Sequence, residues 1–208
     1  VGDYYYSDGT WSSTRNASKT VIGIVISNVS AATSDPLMSA DYPKCTHGLV
    51  VGLPEYSSTL GQFGYSTVYN WLQTNGYPNH NTETPNGYGL TKGMTAYRKA
   101  YPNYVELYDT GTGPLAKHTV KTPSGASSWY IPSYKEMKLI YENKEAINKA
   151  LNNAGGTQIT GSLYWSSTLR TYNSYNDCQG SPFDMVNGGW YAYDKKTEAY
   201  PVRVVFAF

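Results

Sequence analysis

The chain has 208 residues, enough to bury a substantial core, and this length favours one large domain over two cramped ones. Its 16 basic and 15 acidic side chains nearly cancel to a formal charge of +1, which argues against nucleic acid or an acidic membrane as a partner. The sequence has no apolar run of about 18 residues, so membrane insertion is not expected.

Tyrosine is unusually frequent, with 22 residues, whereas only 15% of the chain is charged. Tyrosine combines a large contact area with a polar tip and few rotatable bonds, so binding surfaces favour it. Aromatic side chains also fill β-strands well. Composition alone leaves both interpretations open.

Short apolar segments in the first half of the chain predict strands. Gly2–Trp11 has an Asp-Gly turn between aromatic flanks and predicts a first strand or hairpin. Val21–Val29 and His47–Leu53 are rich in β-branched residues and bounded by polar ones, so each predicts a buried strand. The polar stretch between Pro54 and Pro85 is interpreted as a surface connection with a short helix near Thr67–Thr74.

Helix signals follow in the middle of the chain. Leu90–Ala100 has apolar residues at helical spacing and is followed by a proline. Ser133 and Glu136 form a capping box, and Gly155 supplies a terminator for the helix that begins there. The apolar stripe behind the cap consists of Met137, Ile140, Tyr141, Ile147 and Leu151, with Asn143 as a candidate interruption.

The last part of the chain predicts β structure. Strands are expected over Leu163–Ser167, Phe183–Val186, Trp190–Tyr193 and Val202–Phe208. Asn187-Gly188-Gly189 lies between two of these runs and predicts a β-hairpin turn.

Four segments in a fixed order carry a family resemblance: Gly2–Ser12, Ser128–Met137, Ala154–Thr168 and Pro201–Phe208. This combination resembles the C-terminal module of surface proteins from Bacteroidales and their phages, which has a C-type-lectin-like fold. Fold relatives include the variable proteins of diversity-generating retroelements and the formylglycine-generating enzymes.

The resemblance implies a single α+β domain over 1–208, with an elaborated N-terminal half 1–127 and a signature-bearing core 128–208. In this C-type-lectin-like fold, two main helices and long loops accompany a twisted antiparallel sheet. We expect the C-terminal strands to build that sheet and the N-terminal strand to close it, with the capped helix packed on it. Five residues match the family's core and are interpreted as scaffold: Trp129, Trp165, Ser166, Ser167 and Arg203.

In the variable proteins, the ligand-binding segment corresponds to Leu169–Ala199 of this chain. Aromatic and amide side chains there have the chemistry of a binding face. The candidate ligand-binding residues, expected to form an exposed patch, are Arg170, Tyr172, Asn173, Ser174, Tyr175, Asn176, Phe183, Asp184, Tyr191 and Tyr193.

The predicted function is therefore non-catalytic binding of a protein or glycan on a cell surface. The chain would act in a surface adhesin or a phage receptor-binding protein, including a retroelement-diversified variable protein, as part of a larger surface protein or fibre. Its predicted location is extracellular, on the cell surface or on a phage virion. A purely structural pilus or fibre module is one alternative.

A formylglycine-generating oxidase is the other alternative, and it requires paired reactive cysteines. Cys45 and Cys178 lie far apart in sequence, and either a disulfide or two buried thiols fits them. His47, His80 and His118 are dispersed, and the calcium-binding triplets of true C-type lectins are missing. No enzyme activity, metal or cofactor is predicted.

Overall fold

The computed structural model describes residues 1–29, 34–61, 65–77, 84–172, 177–180, 182–191 and 197–208. The chain is a mixed α+β structure with antiparallel sheets. Its helices are α1 (Pro36–Asp41), α2 (Tyr65–Thr74), α3 (Gly87–Ala100), a 3-10 turn (Glu106–Tyr108), α4 (Pro114–Lys117), α5 (Tyr134–Glu142) and α6 (Lys144–Ala154). Among the helices described here, none is long and apolar enough to cross a membrane.

The strands are short. They are β1 (Tyr4–Tyr6), β2 (Trp11–Ser12), β3 (Val21–Ser27), β4 (Leu49–Gly52), β5 (Tyr56–Ser58), β6 (Leu163–Tyr164), β7 (Leu169–Tyr172), β8 (Asp177–Gly180), β9 (Phe183–Asp184), β10 (Gly189–Trp190), β11 (Tyr200–Val202) and β12 (Val205–Ala207).

The largest sheet in the described chain has the order β12-β4-β3-β1-β2, and every neighbouring pair is antiparallel. The predicted N-terminal hairpin is confirmed, since Tyr4 of β1 pairs with Ser12 of β2. The expectation that C-terminal strands build the main sheet is wrong. Strands β3 and β4 are buried almost throughout and therefore occupy the centre, while β12 alone comes from the C-terminal part.

Helices α5 and α6 cover one face of this sheet, as the capped-helix prediction requires. The Ser133 amide donates to Glu136 Oε2 at 2.6 Å, and the Glu136 amide donates to Ser133 Oγ at 3.4 Å, which confirms the capping box. Asn143 separates the two helices, and Gly155 ends α6 with a φ of +77°. The apolar stripe packs with the inward residues of the central strands, including Ile24 and Val51, in one core.

A second core lies beneath α2 and α3. Val68 and Leu72 of α2 are fully buried and pack with Met94 of α3 and with Trp165. The prediction of a helix near 67–74 is confirmed, but interpreting the whole polar stretch as surface connection is wrong, because this helix has an apolar face that needs burial.

The predicted terminal strand, Val202–Phe208, divides at Arg203 and Val204. Strand β11 pairs with β5, and β12 pairs with β4 of the main sheet. Strand β9 pairs with both β6 and β10, so the predicted Asn-Gly-Gly hairpin is confirmed, with shorter strands than expected. Strand β7 pairs with β8 in a hairpin that the sequence analysis did not predict.

Candidate ligand-binding site

The C-terminal region rests on a buried polar cluster around Arg203. Its side chain is 0% exposed, and its Nη2 lies 3.0 Å from Glu55 Oε2. The same guanidinium donates to the carbonyl oxygens of Leu53, Pro54 and Thr157. Burial lowers the pKa of Arg203, and the Glu55 carboxylate opposes that effect. The scaffold role predicted for Arg203 is thus confirmed by its contacts.

Trp165 holds the neighbouring strand in place. Its ring is fully buried, and its Nε1 donates to the carbonyl oxygen of Ser58 at 2.8 Å. Ser166 and Ser167 beside it are buried as well, whereas Trp129 is only half-buried. The hydrogen bond of Trp165 ties the segment before the binding region to strand β5.

Beside this scaffold lies a half-buried aromatic surface, which we call the C-terminal aromatic face: Tyr134, Tyr141 and Trp190. Tyr134 stacks on Trp190 with ring centroids 4.4 Å apart and an interplanar angle of 17°. The Tyr134 amide donates to Thr168 Oγ1 at 2.9 Å, which fixes the start of α5 beside the strands. The pair therefore presents a preformed aromatic area.

The turn between β9 and β10 is held rigidly. Asp184 accepts hydrogen bonds from the amides of Val186 at 2.7 Å and Asn187 at 3.1 Å, and from the Asn187 side chain at 2.7 Å. Burial raises the pKa of Asp184, but these hydrogen bonds outweigh it and the net shift is downward. Asp184 is half-buried, and its carboxylate is engaged in the turn.

Gly188 completes this turn. It has a φ of +71°, and an added Cβ would lie 2.4 Å from Cε1 of Tyr141. Only glycine combines this backbone conformation with so close an approach. The turn and the α5 helix are therefore fitted together at this residue.

The prediction that Phe183 belongs to an exposed patch is wrong. Its ring is 0% exposed and packs 5.2 Å from Tyr134 and 6.2 Å from Tyr141. Adjacent strand residues point to opposite faces, so burial of Phe183 directs Asp184 outward. Phe183 supports the aromatic face from beneath.

The other predicted residues are placed only in part. Arg170 and Tyr172 lie in β7, whose side chains are not described apart from Leu169. Tyr191 is half-buried and follows β10, where its amide donates to the carbonyl of Pro182 at 3.0 Å. Outside the described residues lie Asn173, Ser174, Tyr175, Asn176 and Tyr193.

Sequence reasoning missed Tyr134 and Tyr141 as members of this face. The two residues are seven positions apart on one helix, a spacing that brings side chains to the same side. Tyr141 was assigned to the apolar stripe, and its hydroxyl donates to the Val186 carbonyl at 3.5 Å. The helix spacing was a usable signal for including both.

The described groups show little redox or metal chemistry. Cys45 is buried, its thiol donates to the carbonyl oxygens of Ala207 at 3.3 Å and Gly125 at 3.4 Å, and burial raises its pKa to about 11. Within the ranges that the structure describes, no three His, Cys, Asp or Glu side chains gather as a metal site. Cys178 lies in β8, whose side chains are not described, and His80 lies outside the described residues.

Comparisons with known proteins found one similar curated protein and one similar solved structure at the significance applied. No family model matches the chain. A Bacteroides ovatus protein with the provisional name fimbrium tip subunit Fim1C is 26% identical over 209 residues, covering 82% of this chain and 39% of that protein. The crystal structure of a fimbrial protein from Bacteroides ovatus matches 100% of this chain and 48% of that chain, with a TM-score of 0.74 and 24% identity.

The chain thus shares its mixed α+β fold with a fimbrial protein and spans less than half the length of each of these proteins. The comparisons give no support to the predicted relation to retroelement variable proteins or to phage receptor-binding proteins, nor do they confirm a C-type-lectin-like fold.

Proposed function

We propose that this chain is a non-catalytic module of a cell-surface fibre of the fimbrial type. The observation that carries the proposal is the sequence similarity to a protein named as a fimbrium tip subunit, over 82% of the chain. The fold match to a fimbrial protein along the whole chain agrees with it. The fibre alternative from the sequence is therefore better supported than a diversified variable protein. The C-type-lectin-like fold stays a prediction from the resemblance.

The described polar groups favour a structural role over catalysis. Arg203 is bound to backbone carbonyls, and Glu136 is fully buried in a helix cap. The Cys45 thiol stays protonated at neutral pH, whereas oxidase chemistry of the formylglycine type needs a thiolate. These groups hold the chain together and do not meet in a reactive cleft.

Within this function, the C-terminal aromatic face is the proposed recognition surface for a protein or glycan on a partner cell. Stacked aromatic side chains give a large contact area at low entropic cost. Tyr134 and Trp190 are each half-buried, so part of each ring remains open to a ligand. We propose the hairpin β7–β8, which contains Arg170 and Tyr172, as a further part of the recognition surface.

The fibre proposal is tested on cells that produce the protein. Surface fibres are sheared from intact cells, pelleted and probed with an antibody raised against the purified chain, and whole cells are labelled with gold-conjugated antibody. We expect the chain in the fibre pellet and gold on the cell surface. A chain confined to the cell interior, or missing from the sheared fraction, would overturn the proposal.

The recognition surface is tested with purified chain and intact partner cells as the probe. Trp190→Ala is compared with Trp11→Ala, since Trp11 is 43% exposed and belongs to the main sheet. Binding should fall at least tenfold for Trp190→Ala, because central aromatic residues carry about 2 kcal/mol or more at interfaces. Equal binding by both variants would remove the C-terminal aromatic face as the recognition surface.

A further inference from the structure

Two adjoining cavities open along the solvent-facing side of α3, away from the residues of the C-terminal aromatic face. The first has a volume of about 370 Å³ and is lined by Tyr77, Arg98, Lys99, Pro102 and Asp109, among others. This volume lies at the lower end of the range for small-molecule sites, about 300–1,000 Å³. It suits a group of one sugar ring rather than a large cofactor.

The second cavity has a volume of about 220 Å³ and lies against the segment that precedes α5. Its lining includes Tyr88, Leu115, Ser128 and Trp129. Both cavities share Lys92 and Thr95, so they form one groove along the helix, which we call the α3 groove.

Each cavity has a rigid aromatic wall. Tyr77 stacks on Trp71 at 5.9 Å with an interplanar angle of 9°, and Trp71 packs edge-on to Tyr97 at 5.4 Å. In the second cavity, the Trp129 indole nitrogen donates to the Val120 carbonyl at 2.8 Å. Apolar ring faces held in this way match the C–H faces of sugar rings.

The charges in the groove leave one cation available. Lys92 pairs with Asp41, and Arg98 donates from Nε to Asp109 at 3.1 Å. Lys99 is exposed and, in the described part of the chain, forms no ion pair. A single uncompensated cation suits a monoanion and offers too little charge for a polyanion.

Asp109 is held as a charged partner for Arg98. Hydrogen bonds from the backbone amides of Thr112 and Gly111, and then from Arg98, lower its pKa well below the usual range. The positive charge of Arg98 is therefore compensated by Asp109, and its planar guanidinium forms a polar part of the cavity wall. The charge for an incoming ligand comes from Lys99.

From these observations we infer that the α3 groove binds an acidic oligosaccharide. A sugar acid occupies the larger cavity with its carboxylate on Lys99 and its apolar face on Tyr77. The neighbouring sugar lies against Trp129 in the smaller cavity, and the Thr95 hydroxyl lies where the two rings meet. The inference does not depend on the chain belonging to a fibre.

The test uses the purified chain labelled with ¹⁵N and titrated with sialyllactose or digalacturonic acid as the acidic probe. Lactose and digalacturonate methyl ester are the neutral counterparts. We expect shifts in the amides of Lys92–Lys99 and in the Trp129 indole signal with an acidic probe. The arm that binds identifies the source, a sialic acid or a uronic acid, and binding in either arm supports the shared chemistry.

Lys99→Gln should weaken binding about tenfold, because it removes a charged hydrogen-bond donor. Lys149→Gln, which removes an exposed lysine on α6, should leave the affinity unchanged. The inference fails if neutral and acidic probes bind equally, if neither acidic probe binds, or if Lys99→Gln has no effect. Shifts at the Trp190 indole instead of α3 would also overturn it and would assign the sugar to the C-terminal aromatic face.

Discussion

His118 tests the packing of side chains on the face of the main sheet that α5 and α6 do not cover. It is 7% exposed, and its ring lies 4.2 Å from that of Trp129. Its Nδ1 shares a 2.7 Å hydrogen bond with the Tyr56 hydroxyl, while Nε2 finds no partner among the described residues. Burial lowers the pKa of His118 from 6.5 to about 4. Replacing it by His118→Asn removes the titrating group and keeps a polar atom near Tyr56.

The magnitude follows from the two pKa values. The unfolded chain binds a proton near pH 6.5 and the folded chain only near pH 4, a difference of about 2.5, and each pKa unit corresponds to about 1.36 kcal/mol. The stability contributed by neutral His118 is therefore present above pH 6.5 and is lost as the pH falls towards 4. Between pH 7.5 and pH 4.5 the expected loss is about 2.5 kcal/mol.

The assay is urea unfolding at these two pH values, with tryptophan fluorescence as the signal that monitors unfolding. The wild-type chain should lose about 2.5 kcal/mol more on acidification than His118→Asn. Burial raises the pKa of Asp35 and Glu136, which acts in the opposite direction, but both groups are present in both proteins and cancel in the comparison. Tyr56→Phe keeps the titrating imidazole and should keep the acid loss. An equal loss in the wild-type chain and His118→Asn would refute the reasoning.

Two further predictions concern the C-terminal region. Arg203→Met should destabilise the chain by about 3–5 kcal/mol in urea unfolding, because Glu55 loses its charged partner and three part-buried carbonyl contacts are lost with the guanidinium. Adding Glu55→Gln should recover part of this loss, and a full additive loss would contradict the pairing. Phe183→Ala should cost about 3–5 kcal/mol through the cavity it leaves. Val186→Ala, at a side chain that is 66% exposed, should change stability by less than about 0.5 kcal/mol.

Local signals made the helices predictable from the sequence. Ser133 and Glu136 form their capping box within four residues, and Gly155 needs only its own backbone freedom to end α6. Asn143 interrupts the helix where the apolar stripe suggested it. These features involve only residues that are close in the sequence, so the sequence alone contains all the information needed to predict them.

The order of the sheet was not predictable in the same way. Val205 of β12 pairs with Val51 of β4, and no spacing rule connects residues so far apart. The division of the terminal run follows from Arg203, whose buried guanidinium reaches Leu53 and Thr157 and interrupts the strand between β11 and β12. The segment that the apolar pattern predicts as one strand thus contributes to two sheets.

The sequence predicted which part of the chain contains the candidate site, but not which individual residues form it. The sequence pattern places both Phe183 and Asp184 in an exposed patch, although consecutive strand residues face opposite sides. Tyr134 was overlooked because its partner, Trp190, lies more than 50 positions later in the chain. The aromatic composition identifies a region suited to binding. Only the fold determines which rings are buried beneath its surface and which reach the solvent.

The cation and the hydroxyl of the α3 groove stand on helix α3, and the rings of the C-terminal aromatic face stand on α5 and β10. Asp35 accepts hydrogen bonds from two amides at the start of α1 and, at 2.8 Å, from the Gly89 amide of α3, so the α3 groove is tied to the body of the chain. Gly188 and Tyr141 fit the β9–β10 turn against α5 beneath the aromatic face. Side chains ordered before binding lose less entropy when a ligand arrives.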